Sequence, residues 1–167
     1  MKKTGILLLS FFLLFLCGCA EKEPPAPNLD FTASVLINYD DSMSSPKVCT
    51  GQITSTSQGM QTLRLQSDDA LDNLRYKWDE KLTISYGELS LETNADYLPS
   101  FSFAQAIYNV LFDLPRNGVF KGFFEDYTLF SGTTQSGEYE VKTDKEGTIQ
   151  QISVKGLNLT VDFTYEP

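Results

Sequence analysis

Three cysteines, no histidine and two pairs of neighbouring aspartates are the residues of this 167-residue chain from which chemistry could be built. Cys17 and Cys19 stand one residue apart in "FLCGCAEKEPPAP", between a greasy run and a proline-rich one, and Cys49 stands alone. Without histidine there is no imidazole general base, no serine or cysteine triad built on one, and no zinc site of the usual His-containing kind. Walker loops, dinucleotide glycine fingerprints and Cys-x-x-Cys pairs are also absent. Carboxylate-only chemistry remains, with Asp40 and Asp41 or Asp68 and Asp69 as the candidate pairs. Neighbours on a strand point to opposite faces, and both pairs lie in turn-like surroundings, so they read as surface turns or helix caps. Neither "NYDDSMSS" nor "KTDKEGTI" has the alternating oxygen ligands and sixth-position glycine of a calcium loop. Cys49, with no base to activate it, reads as a small half-buried strand residue. No catalytic residue, metal or cofactor is expected.

The paired cysteines point elsewhere. Lys2 and Lys3 precede an apolar run from Ile6 to Leu16 broken only by Ser10, and the small residues Gly18 and Ala20 follow, which is the three-part build of a secretory signal. The run is too short for a helix that crosses a bilayer, which needs about 20 apolar residues. Leu16, Cys17, Gly18 and Cys19 resemble a bacterial lipobox. That resemblance implies a lipoprotein signal peptide over residues 1–18, cleavage before Cys19, and a diacylglyceryl group on Cys19. Cys17 fits the role less well, because bulky Leu16 would then stand at the minus-one position. The other reading is an ordinary signal cut after Ala20, which leaves Cys19 without a purpose. A lipidated Cys19 places the protein on a cell membrane, facing away from the cytoplasm. Two or three acyl chains hold stably where one is marginal, since each buried methylene contributes roughly 0.8 kcal/mol. Residues 19–28 then form the anchor and its tether. The polar, proline-rich "EKEPPAPN" is expected to run extended at about 3.1 Å per residue, roughly 25 Å or less in all.

Residues 29–167 make one domain by length, large enough to bury a core without disulfides. The chain carries 13 basic and 22 acidic residues, and removal of Lys2 and Lys3 leaves 11 against 22, a net charge of −11. Such a body is repelled by nucleic acid and by anionic headgroups, so no nucleic-acid partner is expected and attachment falls to the acyl chains.

Alternation dominates the remainder. Phe31, Ala33, Val35, Ile37 and Tyr39 alternate with Thr32, Ser34, Leu36 and Asn38, the period of a strand with one buried face. "KVCTGQITST" and "MQTLRLQS" read as the next two strands, with a turn at Ser57 to Gly59. "SDDALDNL" reads as a capped helical turn. "RYKWDEKLTISY" reads as a hairpin, with Tyr76 and Trp78 before the Asp79-Glu80 turn and Leu82, Ile84 and Tyr86 after it; "GELSLET" continues the sheet. One helix is predicted over Ser102 to Leu114, where Phe103, Ile107, Val110, Leu111 and Leu114 form an apolar stripe. Ser102 with Gln105 makes a capping box, Pro115, Asn117 and Gly118 stop the helix, and Asn109 is placed on its solvent side. "VFKGFFEDY" fits either a short helix or a strand entry. "YTLFSGTTQS", "GEYEVKT", "TIQQISVK" and "LTVDFTYE" complete the chain as strands separated by turn residues.

The expected fold is α+β: a curved, half-barrel-like antiparallel sheet of about 8–10 strands with one main helix, near residues 102–114, packed on it. The curved sheet, the mid-chain helix and the final "TDKEGTIQQI" hairpin resemble the LolA-like lipoprotein group over most of Leu29 to Glu166. A strand at Phe31 departs from that group, which commonly begins with a helix. One helix cannot cover so wide a sheet, so the sheet curls, is covered by Val119 to Tyr127, or offers apolar surface to a ligand or partner. The leading functional expectation is a non-enzymatic lipoprotein that binds an acyl chain, a lipopeptide or an envelope protein in its concavity. Tyr76, Trp78 and Ile84 are the candidate ligand contacts, although Trp78 would equally serve as a core plug under the helix. A structural or regulatory module acting only through surface contacts is the alternative, and a carboxylate enzyme the third.

Overall fold

The computed structural model describes residues 23–40, 46–66 and 72–166. Two antiparallel meanders make one sheet. The first is β1 (Phe31–Tyr39), β2 (Lys47–Thr56), β3 (Gly59–Gln66), β4 (Arg75–Trp78), β5 (Leu82–Tyr86) and β6 (Leu89–Thr93). Helix α1 (Phe103–Asn117) follows, then β7 (Val119–Phe123), β8 (Thr128–Thr134), β9 (Gly137–Thr143), β10 (Ile149–Val154) and β11 (Leu159–Thr164). The strand order is β6-β5-β4-β3-β2-β1-β11-β10-β9-β8-β7, so the meanders meet where β1 pairs β11, and β6 and β7 are the edges of this sheet. The fold class is the expected one, with 11 strands among the described residues rather than 8–10. The additional strand is β7, and its register explains why its period was hard to read. A bulge between Phe120 and Gly122 puts Phe120 opposite Phe130 and Phe123 opposite Thr128, so apolar positions recur after three residues instead of two.

Register turns the alternation of single strands into rows across the sheet. Ala33, Ile53, Leu63, Tyr76, Ile84 and Leu91 are successive partners from β1 to β6. Ile37, Val161, Ile152, Val141, Phe130 and Phe120 are successive partners from β1 through β11 to β7. Both rows are fully buried at their centres and lose burial towards the edges.

One helix serves both halves because the sheet curls around it. Tyr108 of α1 stacks on Trp78 of β4 at 5.0 Å between ring centroids, while Asp113 accepts a 2.8 Å hydrogen bond from Tyr139 of β9. Strands β4 and β9 are six spacings apart, about 29 Å in a flat sheet, whereas a helix with its side chains is about 10–12 Å across. Gly132 on β8 makes room for the Tyr139 ring, since a Cβ there would meet its hydroxyl at 2.4 Å.

The helix itself differs from its predicted form at both ends. Ser102 is extended and its side chain makes no cap; its carbonyl accepts the amide of Ala106 at 2.9 Å. Gln105, the expected cap partner, turns inward and donates to Asn109. Pro115 does not stop the helix, which continues to Asn117, because a missing N–H near the end of a helix removes only one late bond. Asn109 is buried rather than on the solvent side and donates to Ser136 at 3.0 Å.

Candidate functional site

Cys17 and Cys19 lie outside the described residues, as do Asp41, Asp68 and Asp69, so neither aspartate pair is placed. Cys49 is buried on β2, and burial pushes its thiol up to about 11, which keeps it protonated and unreactive. No cluster of potential metal ligands occurs among the described residues.

The three candidate ligand contacts occupy two different settings. Tyr76 and Ile84 are direct cross-strand partners in the row that runs from Ala33 to Leu91. Trp78 pairs with Leu82 on the same face and belongs to an aromatic column: Tyr76 and Trp78 stack at 5.8 Å, Trp78 and Tyr108 at 5.0 Å, Tyr108 and Phe112 at 5.9 Å. Arg116 closes the column, its guanidinium 3.8 Å from the centre of the Phe112 ring. Only 3% of Trp78 is exposed, so it plugs the seam between α1 and the sheet. A groove of about 400 Å³ opens beside it, lined among others by Gly59, Met60, Gln61, Tyr108 and Phe112. Burial raises the phenol of Tyr76, and the nearby Tyr39 and Cys49 add to the shift. Tyr76, Trp78 and Tyr108 therefore present neutral aromatic surface, suited to apolar contact rather than to proton transfer.

Beyond Tyr76 the helix no longer covers the sheet. Ile84 is half-buried, Leu91 next to it is 50% exposed, and on the same face Tyr86 pairs with Leu89, which is 74% exposed. These three residues were not among the candidates, although the alternation Leu89, Ser90, Leu91, Glu92 has the same period that marked Tyr76 and Ile84. On the other face Lys81, just before β5, forms an ion pair with Glu92 of β6, as a solvated surface should. The site is thus a strip of apolar sheet surface with a buried aromatic column at its inner border and open solvent at its outer one.

No protein-family model matches the chain, and no curated protein does. Among solved structures the chain is similar to a LolA superfamily protein from Nitrosomonas europaea, at 8% sequence identity and a TM-score of 0.42, over 81% of this chain and 69% of that one.

Proposed function

We propose that the protein is a membrane-anchored extracytoplasmic lipoprotein, held by acyl chains on Cys19, that binds a hydrophobic ligand on the strip from Tyr76 and Ile84 to Leu89 and Leu91 without catalysing a reaction on it. The lipobox-like Leu16-Cys17-Gly18-Cys19 supports the anchor. The observation that carries the ligand reading is the change of exposure along one row: the buried face of the sheet continues, with unchanged apolar chemistry, past the limit of its helix. Covering Tyr86, Leu89 and Leu91 would remove apolar surface from water at roughly 25 cal/mol per Å². An acyl chain suits such a strip, being apolar along its length and needing no buried polar partner.

Trp78 is the single tryptophan and reports on the strip through its stacking on Tyr76. Titration with fatty acid or lysophospholipid should shift Trp78 emission saturably, and a Leu89→Ser/Leu91→Ser double variant should lose that response. An unchanged emission in the wild-type protein would remove the ligand reading. A second reading, a surface-interaction module, is favoured by β6 itself: an edge strand leaves one side of its backbone unpaired, where a partner's strand can add.

A further inference from the structure

The end of the chain that leads to Cys19 is not free of the body. The amide of Asn28 donates to the carbonyl of Gly147 at 2.8 Å, and Asn28 forms a parallel bridge with Thr148. Gly147 has φ +92°, and a Cβ there would meet the carbonyl oxygen of Ala26 at 2.4 Å, so glycine permits the close approach. Asp144 fixes the turn that receives it, accepting from the amides of Glu146 at 2.8 Å and Thr148 at 2.9 Å. The segment expected as a free-standing tether is therefore pinned to the β9–β10 turn over its last residues.

The β7–β8 turn lies at the same end of the neighbouring strands. Thr143, just before the β9–β10 turn, pairs with Thr128 of β8, and Thr128 pairs with Phe123 of β7. Two strand spacings, about 10 Å, separate β7 from β9. This turn is aromatic and exposed: Phe124 and Tyr127 stack at 4.7 Å, the amide of Phe124 donates to the carbonyl of Tyr127 at 2.8 Å, and Phe123 and Phe124 are each 48% exposed. Lys142 stands over the Tyr127 ring at 5.2 Å. Cys19 is nine residues before Asn28, a reach of at most about 30 Å. A lipid anchor on that residue draws the Asn28 end of the molecule, and with it this turn, towards the bilayer.

We propose that the β7–β8 turn is a membrane foot, with Phe123, Phe124 and Tyr127 seated in the interfacial layer of the bilayer that holds Cys19. Aromatic rings favour that layer, and a weak hydrophobic contact becomes an effective second attachment once an acyl anchor has removed the cost of approach. Lys121, Lys142 and Lys145 stand against Glu125, Asp126, Asp144 and Glu146 in and around the two turns, a net charge of 3 − 4 = −1, so this end has no strong charge of its own and fits a zwitterionic surface. The inference rests on the anchoring proposed above. It also orients the molecule: the β5–β6 turn, with Tyr86 and Leu89, is at the opposite end of the strands and faces away from the lipid.

The test uses the full chain, lipidated in its host, purified and placed on phosphatidylcholine vesicles with brominated acyl chains, which quench tryptophan on contact. Phe124→Trp and Tyr127→Trp should each be quenched several-fold more than Gln135→Trp, an exposed position in the turn at the far end of β8, after subtraction of the wild-type Trp78 signal. Wild-type flotation with the vesicles, and its loss in Cys19→Ala, reports on the anchor separately. Flotation with Phe124→Trp and Tyr127→Trp quenched no more than Gln135→Trp would overturn the foot and leave the anchor standing. A blue shift of the turn tryptophans without bromine quenching would mean that protein covers the patch, and would overturn it too. A wild-type chain that does not float takes both readings down together.

Discussion

The two flanks of α1 are held by different chemistry. Towards β3 and β4, Tyr108 stacks on Trp78, and Phe112, one turn on, stacks on Tyr108 and lies over Gly59. Towards β8 and β9, Gln105, Asn109 and Asp113, again at four-residue spacing, form a polar ladder: Gln105 donates to Asn109, Asn109 to Ser136, and Asp113 accepts from Tyr139. Stacked rings tolerate sliding, because dispersion and area burial have little directional preference. Buried amides do not, since each broken bond leaves a desolvated group unpaired. The β8–β9 flank is therefore held by directional bonds and the β3–β4 flank by area burial. The helix is also joined to β7 through Gly118 alone but to β6 through residues 94–102.

Substitutions on the two flanks should separate these contributions. Trp78→Ala removes the centre of the aromatic column and should destabilise the fold by about 3 to 5 kcal/mol in denaturant titrations. A loss below about 1 kcal/mol would show that the column is not core. Asn109→Ala strands the Gln105 amide donor and the Ser136 hydroxyl, and should cost about 1 to 3 kcal/mol. A residue on the solvent side of the helix would lose no more than about 0.5 kcal/mol, so the same titration distinguishes the ladder from a surface position. Tyr139→Phe should cost about 1 to 2 kcal/mol by leaving Asp113 without its phenol donor. It should also change the alkaline limb. Burial, together with the hydrogen bond and charge of Asp113, raises the folded phenol well above its ordinary value. Above pH ~10 the unfolded tyrosine loses its proton first, so stability falls as pH rises, and Tyr139→Phe should shallow that fall without abolishing it, because burial raises Tyr165 as well. An unchanged alkaline slope would mean that Tyr139 titrates normally. Smallest of all, Leu89→Ser/Leu91→Ser should move stability by no more than about 0.5 kcal/mol, since water already reaches both side chains. A large loss would make the strip a structural face instead of a binding one.

The aromatic flank was far more legible in the sequence than the polar one. Period-two alternation located Tyr76, Trp78 and Ile84 on one face, because a strand buried on one side leaves that pattern whatever it packs against. The apolar stripe of α1 was legible for the same reason. Asn109 and Gln105 were not, since a polar residue on a helix carries no sign of whether its partner is water or a side chain 27 positions away in sequence, as Ser136 is. Gln105 after Ser102 fits a capping box by spacing, yet tertiary burial turned it inward. Leu89, Leu91 and Tyr86 looked like any other sheet positions, because exposure is set by how far the helix reaches along the row. Nor does composition show that a proline-rich segment will dock, when docking depends on the conformation of one distant glycine, Gly147.

Mass spectrometry of the native protein, extracted gently from its host, tests the central claim most directly. The account predicts a bound acyl-bearing small molecule in addition to the acyl chains on Cys19, retained by wild type and lost from Leu89→Ser/Leu91→Ser. A wild-type mass that accounts for the anchored chain alone, unchanged after incubation with fatty acid or lysophospholipid, would contradict it.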